Sequence, residues 1–167
     1  MYDELTEVDI QKMQEEIDYR IRELRPKLIE EVQTARAFGD LSENFEYKCA
    51  KQAKNRNDSR IRYLQGMIRT AKVIAVQDTA DEVGLFDKVT IYNEMVKKEM
   101  LLQIVTTLRQ DATRGLISKE SPVGKALLGH KVGDRVEIQV SPAMKYFVEI
   151  RALEKGTDDA SMEISGY

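Results

Sequence analysis

From Asp9 to about Phe38 the apolar positions fall at Ile10, Met13, Ile17, Ile21, Leu24, Leu28, Val32 and Ala35, at steps of 3, 4, 4, 3, 4, 4 and 3. That spacing draws a seam along one side of a helix, close to the a/d repeat of a coiled coil. Pro26 falls inside the run; it has no N–H to donate, so it should kink the helix or loosen one turn. A second run follows Gly39 and reaches about Ala75, with Ile61, Leu64, Ile68, Ala71 and Ala75 in the same rhythm. Upstream this stripe turns polar: Tyr47, Ala50, Lys54, Asn57. Two helices joined by a short glycine-containing link predict an antiparallel hairpin with arms roughly 45 Å long at 1.5 Å per residue. Its polar far end would stand clear of any core, as a probe.

After Gln77 the period changes. Phe86 to Tyr92 alternates like a strand, and Met100 to Thr107 is apolar and β-branched enough for another. Ser121-Pro122 ahead of Val-Gly-Lys-Ala-Leu-Leu and Gly129 predicts a short helix, with Ser as its cap and Pro at its first position. Val132 to Val140, with a turn at Gly133-Asp134, and Tyr146 to Leu153 complete the set. The expected fold is α+β: a helical hairpin over residues 1–76, a small antiparallel sheet with one short helix over 77–155, and a polar, frayed tail over 156–167.

Composition narrows the function classes. Cys49 is the only cysteine, which excludes an intramolecular disulfide and suits a reducing compartment. His130 is the only histidine, so neither a four-ligand zinc site nor a histidine-rich catalytic centre is available. The start lacks a basic segment followed by an apolar one, and no apolar run approaches a membrane span, so a soluble cytoplasmic protein without membrane contact is expected.

Charge is divided between the arms. Residues 1–31 hold ten acids against five bases, a net of −5, and residues 45–75 hold eight bases against Glu46 and Asp58, a net of +6. Pairing across the hairpin, as between e and g positions, is one explanation of this split. Lys48, Lys51 and Lys54 lie near the link, where the facing arm offers few acids beyond Glu30 and Glu31. A phosphate-facing role for that cluster stands beside the pairing one.

The link itself reads Ala37-Phe-Gly-Asp-Leu-Ser-Glu-Asn-Phe-Glu-Tyr47. Asp40 and Glu43 have the spacing of a capping box, with Asp40 as N-cap and Glu43 three residues on. Two exposed carboxylates at the end of a lever also suit a hard cation such as Mg²⁺, with waters and phosphates completing its shell. Two acids alone hold Mg²⁺ weakly, so such a site would be completed by another macromolecule. Both roles are compatible.

Arg25-Pro26, the stretch Thr34-Ala-Arg-Ala-Phe-Gly-Asp-Leu-Ser-Glu-Asn-Phe-Glu-Tyr47 and Ser59-Arg-Ile61 together resemble the Gre transcript-cleavage factors of bacteria. So do Gly115-Leu-Ile-Ser-Lys-Glu-Ser-Pro122, Ala126-Leu-Leu-Gly129 and Val132-Gly-Asp134, in the same order. The resemblance covers about residues 8–153 and leans to the GreA-like branch. It implies a coiled-coil hairpin and an FKBP-like C-terminal domain that docks on RNA polymerase, with the hairpin passing down the secondary channel. There the factor stimulates cleavage of the extruded RNA 3′ end in backtracked complexes, as a monomeric cofactor of the polymerase rather than an enzyme alone.

Carried onto this chain, the resemblance implies that Asp40 helps hold a second Mg²⁺ shared with the polymerase and that Glu43 orients or deprotonates the attacking water, with Glu43 a further possible metal ligand. Arg36, Lys48, Lys51 and Lys54 would face the nascent RNA phosphates. Ser118, Glu120 and Pro122 match the family's polymerase-docking segment, although Ser121-Pro122 is equally a plain helix start. Three positions depart from the family pattern: Phe38 before Gly-Asp, Ser141-Pro-Ala-Met144 in place of a glycine-rich turn, and Thr106-Thr107 in place of Val-Gly. The rival expectations are a channel-binding regulator that does not cleave, and a free coiled-coil or FKBP-type adaptor.

Overall fold

The computed structural model describes residues 3–39, 44–76, 79–159 and 161–165. It divides into two compact units, Ile10–Ala71 and the combination of Met1–Asp9 with Lys72–Gly166. A cut at residue 76 therefore misses that the first nine residues belong with the C-terminal unit. Glu4–Leu5 (β1) pairs in parallel with Lys72–Val73 (β2), whose backbone continues the ladder through Ile74 N–H to Leu5 C=O.

The first unit is a helical hairpin. Its first arm consists of Glu7–Tyr19 (α1), a π-helical turn at Arg20–Leu24, and Arg25–Arg36 (α2). The return arm is one helix, Phe45–Thr70 (α3). Helix α1 begins in a reciprocal cap that the opening residues encode as Thr-x-x-Asp: Thr6 N–H donates to Asp9, and Asp9 N–H donates to the Thr6 hydroxyl. Pro26 loosens a turn as expected. The widened turn lies just before it, where Arg25 N–H reaches the Arg20 carbonyl. The same carbonyl accepts from Asn57 Nδ2 across the hairpin, while Arg20 Nη1 donates back to Asn57 Oδ1 at 2.9 Å. A polar residue in the seam thus serves the irregular turn.

Met13, Ile17, Leu28 and Ala35 of the first arm are buried, as are Ile61 and Leu64 of the second. The return helix stops at Thr70 rather than Ala75. Ala71 turns to an extended conformation, and Lys72–Val73 finds a strand partner in β1 that outweighs one more helical turn.

In the second unit a five-stranded sheet runs in the order β5-β4-β3-β7-β6, where β3 is Lys88–Asn93, β4 Lys98–Val105, β5 Leu116–Ser118, β6 Arg135–Ser141 and β7 Met144–Glu154. The expected antiparallel sheet is largely present, but the edge strand β5 pairs in parallel with β4. One face carries Val89, Ile91, Leu102, Ile104, Val136, Ile138, Val148 and Ile150, and Leu127 of the short helix Pro122–Leu127 (α4) joins this core. Each such side chain contributes about 1.5–3 kcal/mol by leaving water. Ser141 pairs with Met144 around Pro142-Ala143, so the hairpin closes without a glycine turn.

The tail is tied down, contrary to the frayed end expected from its polarity. Gly156 N–H donates to Asp87, and Ser165 donates through N–H to Leu108 C=O and through its hydroxyl to Gln110 C=O. A Cβ on Gly156 would lie 1.9 Å from the Phe86 carbonyl, so only glycine passes here. The reason for the anchoring is Arg109, whose side chain is fully buried. Its Nε donates to Asp9 at 2.6 Å, its Nη1 donates to the Asp159 carbonyl, and its Nη2 lies 2.5 Å from Asp158 Oδ1, an ion pair by distance without hydrogen-bond alignment. A buried guanidinium needs carboxylates around it, and the tail brings one of them.

Candidate catalytic tip and docking segment

The hairpin link opens where α2 runs out of helix. Ala37 and Phe38 donate back to the Thr34 and Ala35 carbonyls, and Gly39 takes φ +133°, a conformation that side chains resist. Helix α3 starts at Phe45, and its N-cap is Asn44, whose Oδ1 accepts from Tyr47 N–H at 3.0 Å. The cap that spacing offered to Asp40 is therefore held by Asn44. Asp40 and Glu43, the candidate catalytic and metal-binding pair, lie outside the described residues. The helix ends on either side of them are described, and both belong to the hairpin's turn. Phe38 and Phe45 flank it, 71% and 75% exposed.

The basic cluster divides. Arg36 at the end of α2 sits 5.6 Å from the centre of the Tyr47 ring, and Lys51 Nζ sits 6.0 Å from it. Lys48 is exposed and makes no ion pair among the described residues. Lys54 instead pairs with Asp58, one turn along α3, at 3.1 Å, and Arg25 reaches the same carboxylate at 3.3 Å. Burial works to raise Asp58, but Lys54 and Arg25 prevail and hold it below its ordinary value. The charge of Lys54 is thus already answered, which leaves Arg36, Lys48 and Lys51 as the cations presented near the turn.

In the C-terminal unit the candidate docking segment is a tightly bonded bend between β5 and α4. Ser118 is only 4% exposed. Its hydroxyl accepts from Glu120 N–H and meets Thr107 Oγ1, so it shapes the bend and is not itself available to a partner. This corrects its expected role. Ser121 caps α4, accepting from Gly124 N–H while its hydroxyl donates to the Ser118 carbonyl at 2.7 Å. A Cβ on Gly124 would stand 2.2 Å from that carbonyl, so the bend and the helix fit only with glycine there. Glu120 and Pro122 form the exposed part, with Lys119 turned inward to pair with Glu4.

Among the described residues no group of three or more His, Cys, Asp or Glu could hold a metal, and no helix is long and apolar enough to cross a membrane. Comparison with known families assigns the chain. The model described as transcription elongation factor, N-terminal, matches residues 4–73, and that of transcription elongation factor, GreA/GreB, C-terminal, matches residues 77–155. The chain belongs to the GreA/GreB family of transcription elongation factors. Transcription elongation factor GreA of Thermoanaerobacter pseudethanolicus is 39% identical over 151 residues, covering 90% of this chain and 94% of that protein. Its counterpart from Rhizobium etli is 38% identical over 144 residues, 86% of this chain and 91% of that one. Among solved structures, the GreA factor homolog Gfh1 of Thermus thermophilus aligns with a TM-score of 0.42 at 25% identity, over 93% of this chain and all of that one.

A GreA/GreB elongation factor acts with RNA polymerase, as a stimulator of the polymerase rather than as a self-contained enzyme. The two family models meet between residues 73 and 77, while packing groups Met1–Asp9 with Lys72–Gly166.

Proposed function

We propose that this chain, as a monomer, inserts its hairpin into the secondary channel of bacterial RNA polymerase and stimulates hydrolysis of the extruded RNA 3′ end in backtracked complexes. What supports the reading is that α2 ends at Arg36 and α3 begins at Phe45 as the two arms of a hairpin, in a member of the GreA/GreB family whose sequence between them includes Gly39-Asp-Leu-Ser-Glu-Asn44. Asp40 would hold a Mg²⁺ shared with the polymerase, and Glu43 would orient the attacking water and take its proton. When bound, the ion would supply positive charge at the scissile phosphate. Two carboxylates alone suit a shared ion rather than a resident one. Arg36, Lys48 and Lys51 would face the phosphates of the displaced RNA, and Glu120 and Pro122 would contact the polymerase at the channel rim.

The test is addition of the purified chain to a backtracked elongation complex with Mg²⁺, read as shortened RNA. Binding without shortening would make the chain a channel regulator that does not cleave.

A further inference from the structure

One side chain ties the two arms together at the turn. Asn44 has an extended backbone (φ −80°, ψ 97°), and its Oδ1 takes the Tyr47 N–H as the N-cap of α3. Its Nδ2 reaches back to the Ala35 carbonyl at 2.6 Å. That carbonyl belongs to the last turn of α2, where it also accepts the Phe38 N–H at 3.2 Å. Chemistry fixes the orientation of the amide. One end faces a group that only donates and the other a group that only accepts, so a flipped amide would oppose like dipoles at both ends. A single amide therefore caps the end of one helix and the start of the next.

Resting on the reading above, we propose that Asn44 is a positioning residue for transcript cleavage: its clasp between Ala35 and Tyr47 fixes the two ends of the loop that contains Asp40 and Glu43. Helix capping alone does not call for this residue, because Ser or Asp caps a helix as well as Asn does. Only an amide, with an acceptor and a donor on one short stem, joins α3 to the α2 carbonyl. Displacing a reacting group by about 1 Å costs on the order of a hundredfold in rate, so a loosened loop should reveal itself in the chemical step.

Two substitutions separate the clasp from the cap. Asn44→Ser keeps an acceptor for Tyr47 N–H but has no donor that reaches Ala35. Asn44→Asp keeps a strong cap and turns a carboxylate oxygen toward the Ala35 carbonyl, where the two repel. Each full-length variant is titrated into a purified backtracked complex. Half-saturating concentration and cleavage rate at saturation are read separately, with helicity and melting temperature measured on the same samples. Both variants are expected to keep wild-type helicity and half-saturation within about twofold, while the saturating rate falls about tenfold or more. A wild-type saturating rate in both overturns the inference and leaves the cleavage reading standing. So does a loss explained wholly by weaker binding or by melting. If the wild-type chain itself fails to shorten RNA, the cleavage reading falls and the inference falls with it.

Discussion

Arg60 grips Glu16 across the hairpin with two hydrogen bonds, Nε to Oε2 at 2.8 Å and Nη2 to Oε1 at 3.2 Å, and Arg20 holds the same Oε2 at 2.8 Å. Burial works to raise the Glu16 carboxyl, yet the two guanidiniums prevail and hold it below its ordinary value of 4.5. A carboxylate with a lowered folded pKa stabilises the native state fully above its unfolded value. That stability should therefore drain away as pH falls below about 4.5. Replacing Glu16 with Gln should cost about 2 kcal/mol at neutral pH, as expected for bonds to a charged group. Chemical denaturation of wild type and variant from pH 7 to pH 3 checks this, and the gap between them should close at the acidic end.

Arg109 is the other place where charge decides structure. With Arg109→Ala, the fully buried Asp9 loses its counter-ion, and Asp158 and Asp159 of the tail lose Arg109 as a partner. A loss of about 3–5 kcal/mol is expected. Thermal melting reads it, and proteolysis should cut the released residues 156–167 first.

Gly124→Ala drives a methyl group into the Ser118 carbonyl. The bend carrying Glu120 and Pro122 must shift, at about 1–3 kcal/mol for overpacking. On the docking reading, the half-saturating concentration on polymerase rises severalfold, while cleavage at saturation stays near wild type because the hairpin is untouched. A reduced saturating rate with unchanged affinity would dissociate this bend from docking.

Lys48→Glu with Lys51→Glu reverses two of the three cations near the turn that make no ion pair among the described residues. If they face RNA phosphates, the double variant is much weaker than wild type at low salt and the difference narrows as salt rises. An activity ratio that ignores salt would assign these lysines to pairing within the hairpin.

The regular parts of this fold are written in periodicities. The seam from Met13 to Ala35, its partner from Ile61 and Leu64, and the alternating strands at Lys88–Asn93 and Met144–Glu154 all lie close to where the pattern puts them. Long-range polar contacts leave no such trace. Nothing periodic joins Arg109 to Asp9 a hundred residues away, and a polar tail looks frayed until a buried guanidinium requires it. A two-residue strand such as Lys72–Val73 is too short to interrupt a helical pattern, yet it ends the helix. At the turn, Asp40 and Glu43 carried a genuine capping spacing, but Asn44 won the cap because it also satisfies the Ala35 carbonyl. The resemblance marked Ser118 for docking, and packing put it inside. Lys54 looked free on charge counts alone, although Asp58 stands one turn away.

Everything proposed for the hairpin depends on the two acids at its turn, and one measurement addresses them most directly. Wild type, Asp40→Ala and Glu43→Ala are each saturated onto a purified backtracked elongation complex, and the rate of RNA shortening is followed across a Mg²⁺ titration. Wild type should cleave, with both variants binding the polymerase like wild type yet losing at least about a hundredfold in saturating rate. Asp40→Ala should also shift its residual activity to higher Mg²⁺. Cleavage at the wild-type rate by either variant would contradict the account.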